Sequence, residues 1–181
     1  SREMVFTKTV LIEREDFSDN PPKKFFRLSP GNEVRLKGAY IIKANKVIYN
    51  KEGFVDEVEC TYDPKSKSGS GSEESKRKVK GTLHWVSSTK NIHITIREYD
   101  RLFEHPSPGQ FPPEEFYKIL NPNSMSVSTA RAELEMSKAK TGESFQFQRK
   151  GYYIIDKASS TKNMIFNKTV SLRDNWKKQS R

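Results

Sequence analysis

The sequence predicts an all-β fold: β-rich, with one or two short helices, laid out as two tandem small β-barrels. Short apolar and aromatic stretches recur along the chain, separated by turn chemistry at Ser29–Asn32, Asn50–Gly53 and Lys150–Gly151. Near the middle, Ile92, Ile94 and Ile96 alternate with His93, Thr95 and Arg97, the period of two that marks a half-buried strand. Helix signals concentrate in one segment, Pro113–Leu120, which has a leading proline, two early glutamates and a Phe116/Ile119/Leu120 stripe. A single β-sandwich is the alternative arrangement of the same strands.

Taken in order, Val5–Arg14 alternates loosely and is expected to give one or two strands. Asp16–Pro22 must be a loop, because Asn20 precedes two prolines. Lys23–Leu28 then crowds cations and rings beside the Ser29–Asn32 turn. Strands are expected over Glu33–Lys37, Ala39–Val47 and Phe54–Tyr62, the last two joined at Asn50–Gly53. Asp63–Arg77 is rich in Ser, Gly and Lys, has no apolar anchor, and is expected to be mobile. Val79–Val86 reads as a strand bent at Gly81, and Ser87–Asn91 as a polar turn joining two β-modules. Glu104–Pro113 is too proline-rich for regular structure, and Asn121–Asn123 stops the expected helix. A short strand is expected at Ser124–Ser128, helical character over Thr129–Lys140, and strands at Ser144–Arg149, Tyr152–Asp156 and Ile165–Leu172. The basic tail Arg173–Arg181 is expected to fray.

The 181 residues suffice for one domain or two small ones. No apolar run approaches bilayer length and no signal-peptide pattern opens the chain, so no membrane association is expected. The one cysteine, Cys60, has no internal disulfide partner and is expected to be a buried, inert thiol; these features suit a cytoplasmic protein. With 33 Lys and Arg against 23 Asp and Glu, the net charge is +10, and nucleic acid is the first partner to consider.

Catalytic constellations are missing. His84, His93 and His105 lack metal-ligand spacing, and no phosphate-binding glycine loop opens a helix after a strand. Met136-Ser137-Lys138 echoes a synthetase lysine loop, but in the wrong context. Nucleic-acid chemistry is better served. Lys23, Lys24, Phe25, Phe26 and Arg27 interleave cations with rings, and Arg35 and Lys37 share one strand face. Cations hold phosphates, guanidinium forks read base edges, and exposed rings stack unpaired bases. Phe25 and Phe26 should face opposite ways, leaving one ring for the core. In Phe145–Arg149, Gln146 and Gln148 oppose the rings, and a glutamine amide offers a base edge both donor and acceptor.

The blocks LIEREDF, RLSPGNEVRLKGAYIIKA, CTYDP, KVKGTLHWVS, IREYDRLF, NPNSM, FQFQRKGYY and FNKTVSLRDNW together resemble the C-terminal anticodon-binding region of glutaminyl-tRNA synthetases. The resemblance runs in order from about Val10 to Trp176, and KVKGTLHWVS and FNKTVSLRDNW are its most specific blocks. Glutamyl-tRNA synthetases of the same fold are the alternative, as is a basic interaction module without tRNA specificity. The resemblance implies two β-barrels with strands exchanged between them: a distal-type barrel over residues 1–95, its N-terminal strand open to exchange, and a proximal-type barrel over residues 96–181. It implies a monomer whose RNA partner is the anticodon loop of glutamine tRNA, carrying CUG or UUG. It further implies an upstream catalytic domain of the same polypeptide that uses ATP and Mg²⁺, with no cofactor in this fragment and no catalysis by it alone. By motif, Arg27 corresponds to the reader of the third anticodon base, Arg35 and Lys37 to a pair near the first, and Gln146 and Arg149 to residues at the middle base. Lys24 joins them as an RNA-binding cation. Many members carry arginine where Lys37 stands and a basic residue where Phe26 stands, so first-base contacts are expected to differ here.

Overall fold

A computed structural model describes residues 3–172 and is mostly strand. The expected fraying of Arg173–Arg181 lies outside the described residues. The chain divides into two units, one of Val5–Lys90 and one running on from Asn91, so the division falls inside the polar Ser87–Asn91 segment.

In the Val5–Lys90 unit, β1 (Val10–Leu11) pairs antiparallel with β6 (Val86–Ser87). The main sheet holds β2 (Glu33–Leu36), β3 (Ile41–Tyr49), β4 (Val55–Asp63) and β5 (Thr82–Leu83) in the order β4-β3-β2-β5. β2 and β5 run parallel, with Arg35 opposite Thr82, while the other neighbours are antiparallel. Alternation decides what is buried. Val34 and Leu36 are buried, as are Leu28, Ile41, Leu83 and Trp85, all nearly inaccessible, while Arg35 and Lys37 fall on the other face. Trp85 is buried without an orphaned donor, since its Nε1 donates to Lys37 O at 3.0 Å.

The second unit is one five-stranded sheet of β7 (Asn91–Tyr99), β8 (Met125–Glu133), β9 (Ser144–Phe147), β10 (Gly151–Ile155) and β11 (Met164–Val170), ordered β8-β7-β11-β10-β9. The isoleucine alternation does its expected work: Ile94 and Ile96 enter a core with Tyr153, Ile155, Met164 and Phe166, and Ile92 packs at its margin. Phe145 and Phe147 pack against the same core, ring centroids 6.2 and 5.3 Å from Phe166.

The β-rich class is as expected, but the sheets are open and not closed into barrels. β5 and β6 are two residues long, and β8 and β9 end the larger sheet at opposite edges without pairing with each other. Other details also depart from expectation. Pro113–Ile119 is a 3₁₀ helix, not an α-helix, because its Phe116/Ile119 stripe is only half-buried and gives no core to stabilise a regular turn. Thr129–Glu133 continues β8, since nine residues of β7 offer a complete antiparallel partner from Asn91 to Tyr99, and pairing outweighs weak helical propensity. The segment after Asp63 is built, not loose: Pro64–Ser66 makes a 3₁₀ turn, and α1 (Glu73–Lys76) is a single turn capped by Ser72. Cys60 is exposed, because β4 is the outer strand of its sheet.

Candidate nucleic-acid interface

The cationic turn is fixed from beneath. Leu28 is buried and its N–H donates to Asp16 O at 3.0 Å, while Leu28 O accepts from Ser18 N. That places Arg27 beside Asp16, whose carboxylate is fully buried. The Arg27 Nε lies 3.5 Å from Asp16 Oδ1, and Nη1 donates to Glu15 O at 2.7 Å. The guanidinium is therefore aimed by two contacts, and its Nη2 makes no hydrogen bond among the described residues. Lys24, exposed, holds a left-handed backbone at φ 65° that a non-glycine residue rarely adopts. Of the adjacent rings, Phe25 is half-buried and Phe26 stands 52% exposed.

These residues line a groove of about 490 Å³ together with Glu33, Arg77, Lys78 and Lys80. Arg77 makes a two-pronged bond to Glu33, with Asp63 3.8 Å from its Nη2. That hydrogen bond holds the Glu33 carboxyl below its ordinary value of 4.5 and keeps Arg77 more firmly protonated. Lys24, Lys78 and Lys80 have no ion pair among the described residues, so an anion entering the groove meets uncommitted ammonium groups.

Arg35 and Lys37 do not line this groove. Lys37 is exposed just past β2, its backbone held between Leu83 O and Trp85 Nε1. Arg35 is half-buried and spends its guanidinium on the segment after β4: Nη1 donates to Ser66 O at 2.7 Å and Ser68 Oγ at 3.2 Å, Nη2 to Ser75 O at 3.0 Å and Arg77 O at 3.1 Å. Ser66, itself inaccessible, accepts from Ile41 N and donates to Asp63 O. The segment expected to be mobile is thus clipped to the sheet by one arginine and one buried serine.

In the second unit, Gln146 lies on β9 between two inward rings and is exposed, opposite the exposed Tyr152. Arg149 sits in the tight turn closed by Lys150 N donating to Phe147 O at 3.0 Å, with φ 64°. Gln148 keeps a buried Oε1 without a hydrogen-bond partner among the described residues.

Sequence reasoning passed over Arg77, Lys78 and Lys80, because they fell at the end of an expected linker and the start of an expected strand. The available signal was the Lys78-Val79-Lys80 alternation running straight into Gly81. The histidines stand apart chemically: His93 contacts Arg131, and His105 accepts from Ser107 N and packs on Phe111. Among the described residues no group of three or more metal-ligating side chains forms, and none of their helices is long and apolar enough to cross a membrane.

A cationic groove bearing an exposed ring, carried on a β-rich scaffold, is the equipment of an RNA-binding module. Two family models agree with it, both described as the anticodon-binding domain of class I tRNA synthetases (E and Q), matching residues 1–63 and 82–156. The chain belongs to this family of anticodon-binding domains. Among similar curated proteins are glutamine–tRNA ligases from Bradyrhizobium diazoefficiens (43% identical over 180 residues, 99% of this chain and 31% of the ligase) and Rhodopirellula baltica (45% over 179 residues, 98% and 30%). Another, from Clostridium kluyveri, is 44% identical over 177 residues, 97% of this chain and 32% of that ligase. The chain thus spans about a third of the length of the relatives it matches.

Proposed function

We propose that this chain is the anticodon-binding region of a glutamine–tRNA ligase and that it grips the anticodon loop of glutamine tRNA. The observation that carries this reading is the groove in the Val5–Lys90 unit, lined by an arginine oriented by a buried carboxylate, by uncommitted lysines and by an exposed ring. Ammonium groups neutralise phosphates, and a planar guanidinium with a free edge can read a base. In this reading Arg27 serves the third anticodon base, Arg35 and Lys37 the first, Gln146 and Arg149 the middle base, and Lys24 the RNA backbone. The Val5–Lys90 unit corresponds to the distal-type module and the unit beginning at Asn91 to the proximal-type one. Glutaminylation, with ATP and Mg²⁺, belongs to the catalytic domain of the complete ligase, the partner of this region in the same polypeptide. The chain is assigned to the cytoplasm and acts as a monomer.

Titration with short RNA hairpins tests the assignment. Hairpins carrying a glutamine anticodon should bind more tightly than hairpins with a glutamate anticodon or a scrambled loop. Arg27→Ala should weaken cognate binding by about 1–3 kcal/mol, the scale of a specific base contact. Because Asp16 is buried beside it, Arg27→Lys is the informative companion: it keeps a charge opposite the carboxylate and loses the fork. Equal affinity of the parent chain for cognate and scrambled loops would refute the assignment.

A further inference from the structure

We infer that Phe26 and Lys80 form a stacking station for one unpaired nucleotide, with the base on the ring and its phosphate on the neighbouring lysines. The inference rests on the anticodon-loop reading above and adds residues to it: Lys80 has no role carried over from the resemblance, and Phe26 stands where many members carry a cation.

Phe26 leaves half its surface in water while its neighbour Phe25 turns inward. The Lys80 Nζ lies 5.7 Å from the Phe26 ring centroid, within cation–π range, so charge and π-face are presented as one unit. Their spacing is fixed by the backbone. A Cβ at Gly81 would fall 2.4 Å from Phe26 O and 3.0 Å from the Cγ1 of buried Val34, so the strand after Lys80 lies directly on the turn that carries Phe26. The backbone that carries the ring is therefore fixed against the strand before any ligand arrives, which lowers the ordering cost of binding. Lys24, Lys78 and Lys80 carry no ion pair among the described residues, and the groove that Phe26 and Lys80 line, about 490 Å³, has the size of a ligand pocket. An aromatic face beside uncommitted ammonium groups matches an unpaired base with its phosphate better than it matches an acidic peptide, whose carboxylates would use the lysines and leave the ring unused.

The test uses the full chain and a short RNA hairpin whose loop carries CUG, with a fluorescent purine analogue placed at successive loop positions. Binding of the parent chain should change the emission at one position. Phe26→Leu should abolish that change and weaken binding about tenfold, within the range of base–aromatic stacking, and Phe26→Tyr should restore both. Lys80→Ala should make the slope of log K against log salt shallower by about 0.7, the share of one phosphate on a single-stranded loop. If Phe26→Leu and Lys80→Ala match the parent in affinity, emission and salt slope while Arg27→Lys still loses cognate binding, the station is absent and the anticodon assignment stands. Tighter binding of an acidic peptide than of the hairpin would overturn the station in favour of a protein partner. No measurable hairpin binding by the parent chain removes both.

Discussion

Lys24 and Arg149 are the non-glycine residues with positive φ among those described, at 65° and 64°. A left-handed backbone costs an ordinary residue about 1–2 kcal/mol, and such strain persists where a side chain is wanted for something else. Both residues are candidate RNA contacts, Arg149 from motif correspondence and Lys24 from the interleaving of cations and rings, neither with any knowledge of backbone geometry, so two independent lines fall on the same positions. Arg149→Gly separates stability from binding. Relief of strain, less the roughly 0.5–1 kcal/mol entropic cost of glycine, should leave stability unchanged or raise it by up to about 1.5 kcal/mol, while hairpin affinity falls. Chemical denaturation beside a binding titration measures both. A marked loss of stability would instead make Arg149 a structural support of its hairpin.

At the scale of elements, the segment between β4 and β5 depends on the four hydrogen bonds of Arg35. Arg35→Ala should free its middle, so that limited proteolysis cuts within residues 64–77 at rates well above the parent while the core of the unit stays folded. Unchanged protection would mean that Ser66 and the Glu33–Arg77 bond hold the segment unaided. This is also where the sequence was least legible. A Ser/Gly/Lys run with no apolar anchor looks like linker, since its order comes from backbone carbonyls meeting a distant guanidinium, which no local pattern encodes. Thr129–Glu133 misled for a related reason: the partner strand β7 lies more than thirty residues earlier in sequence and overrides local preference. The alternation of Ile92–Arg97, the Asn50–Gly53 turn and the outward pair Arg35/Lys37 were readable because burial on one sheet face writes itself at period two. Arg27 and Lys24 were readable from the sequence, whereas Arg77, Lys78 and Lys80 emerged only with the lining of the groove in view.

At the scale of the whole molecule, the +10 charge now has an address in the uncommitted lysines of one groove as well as a general field. If Lys24, Lys78 and Lys80 each neutralise one phosphate, log K for a single-stranded loop should fall against log salt with a slope near −2, taking about −0.7 per phosphate. Affinity measured across a salt series checks this, and a flat response would place the charge elsewhere than on RNA. The exposed position of Cys60 has a practical bearing on all these measurements. As the chain's single thiol, on the outer strand β4 of the unit that holds the groove, it accepts one maleimide dye without any substitution. Its Sγ lies 3.6 Å from Val58 O, and desolvation by the atoms around it pushes the thiol up to about 11, so little thiolate is present near neutral pH and conjugation there is slow. The native protein thus supplies its own reporter for RNA arrival, attached on a strand that carries none of the proposed RNA contacts.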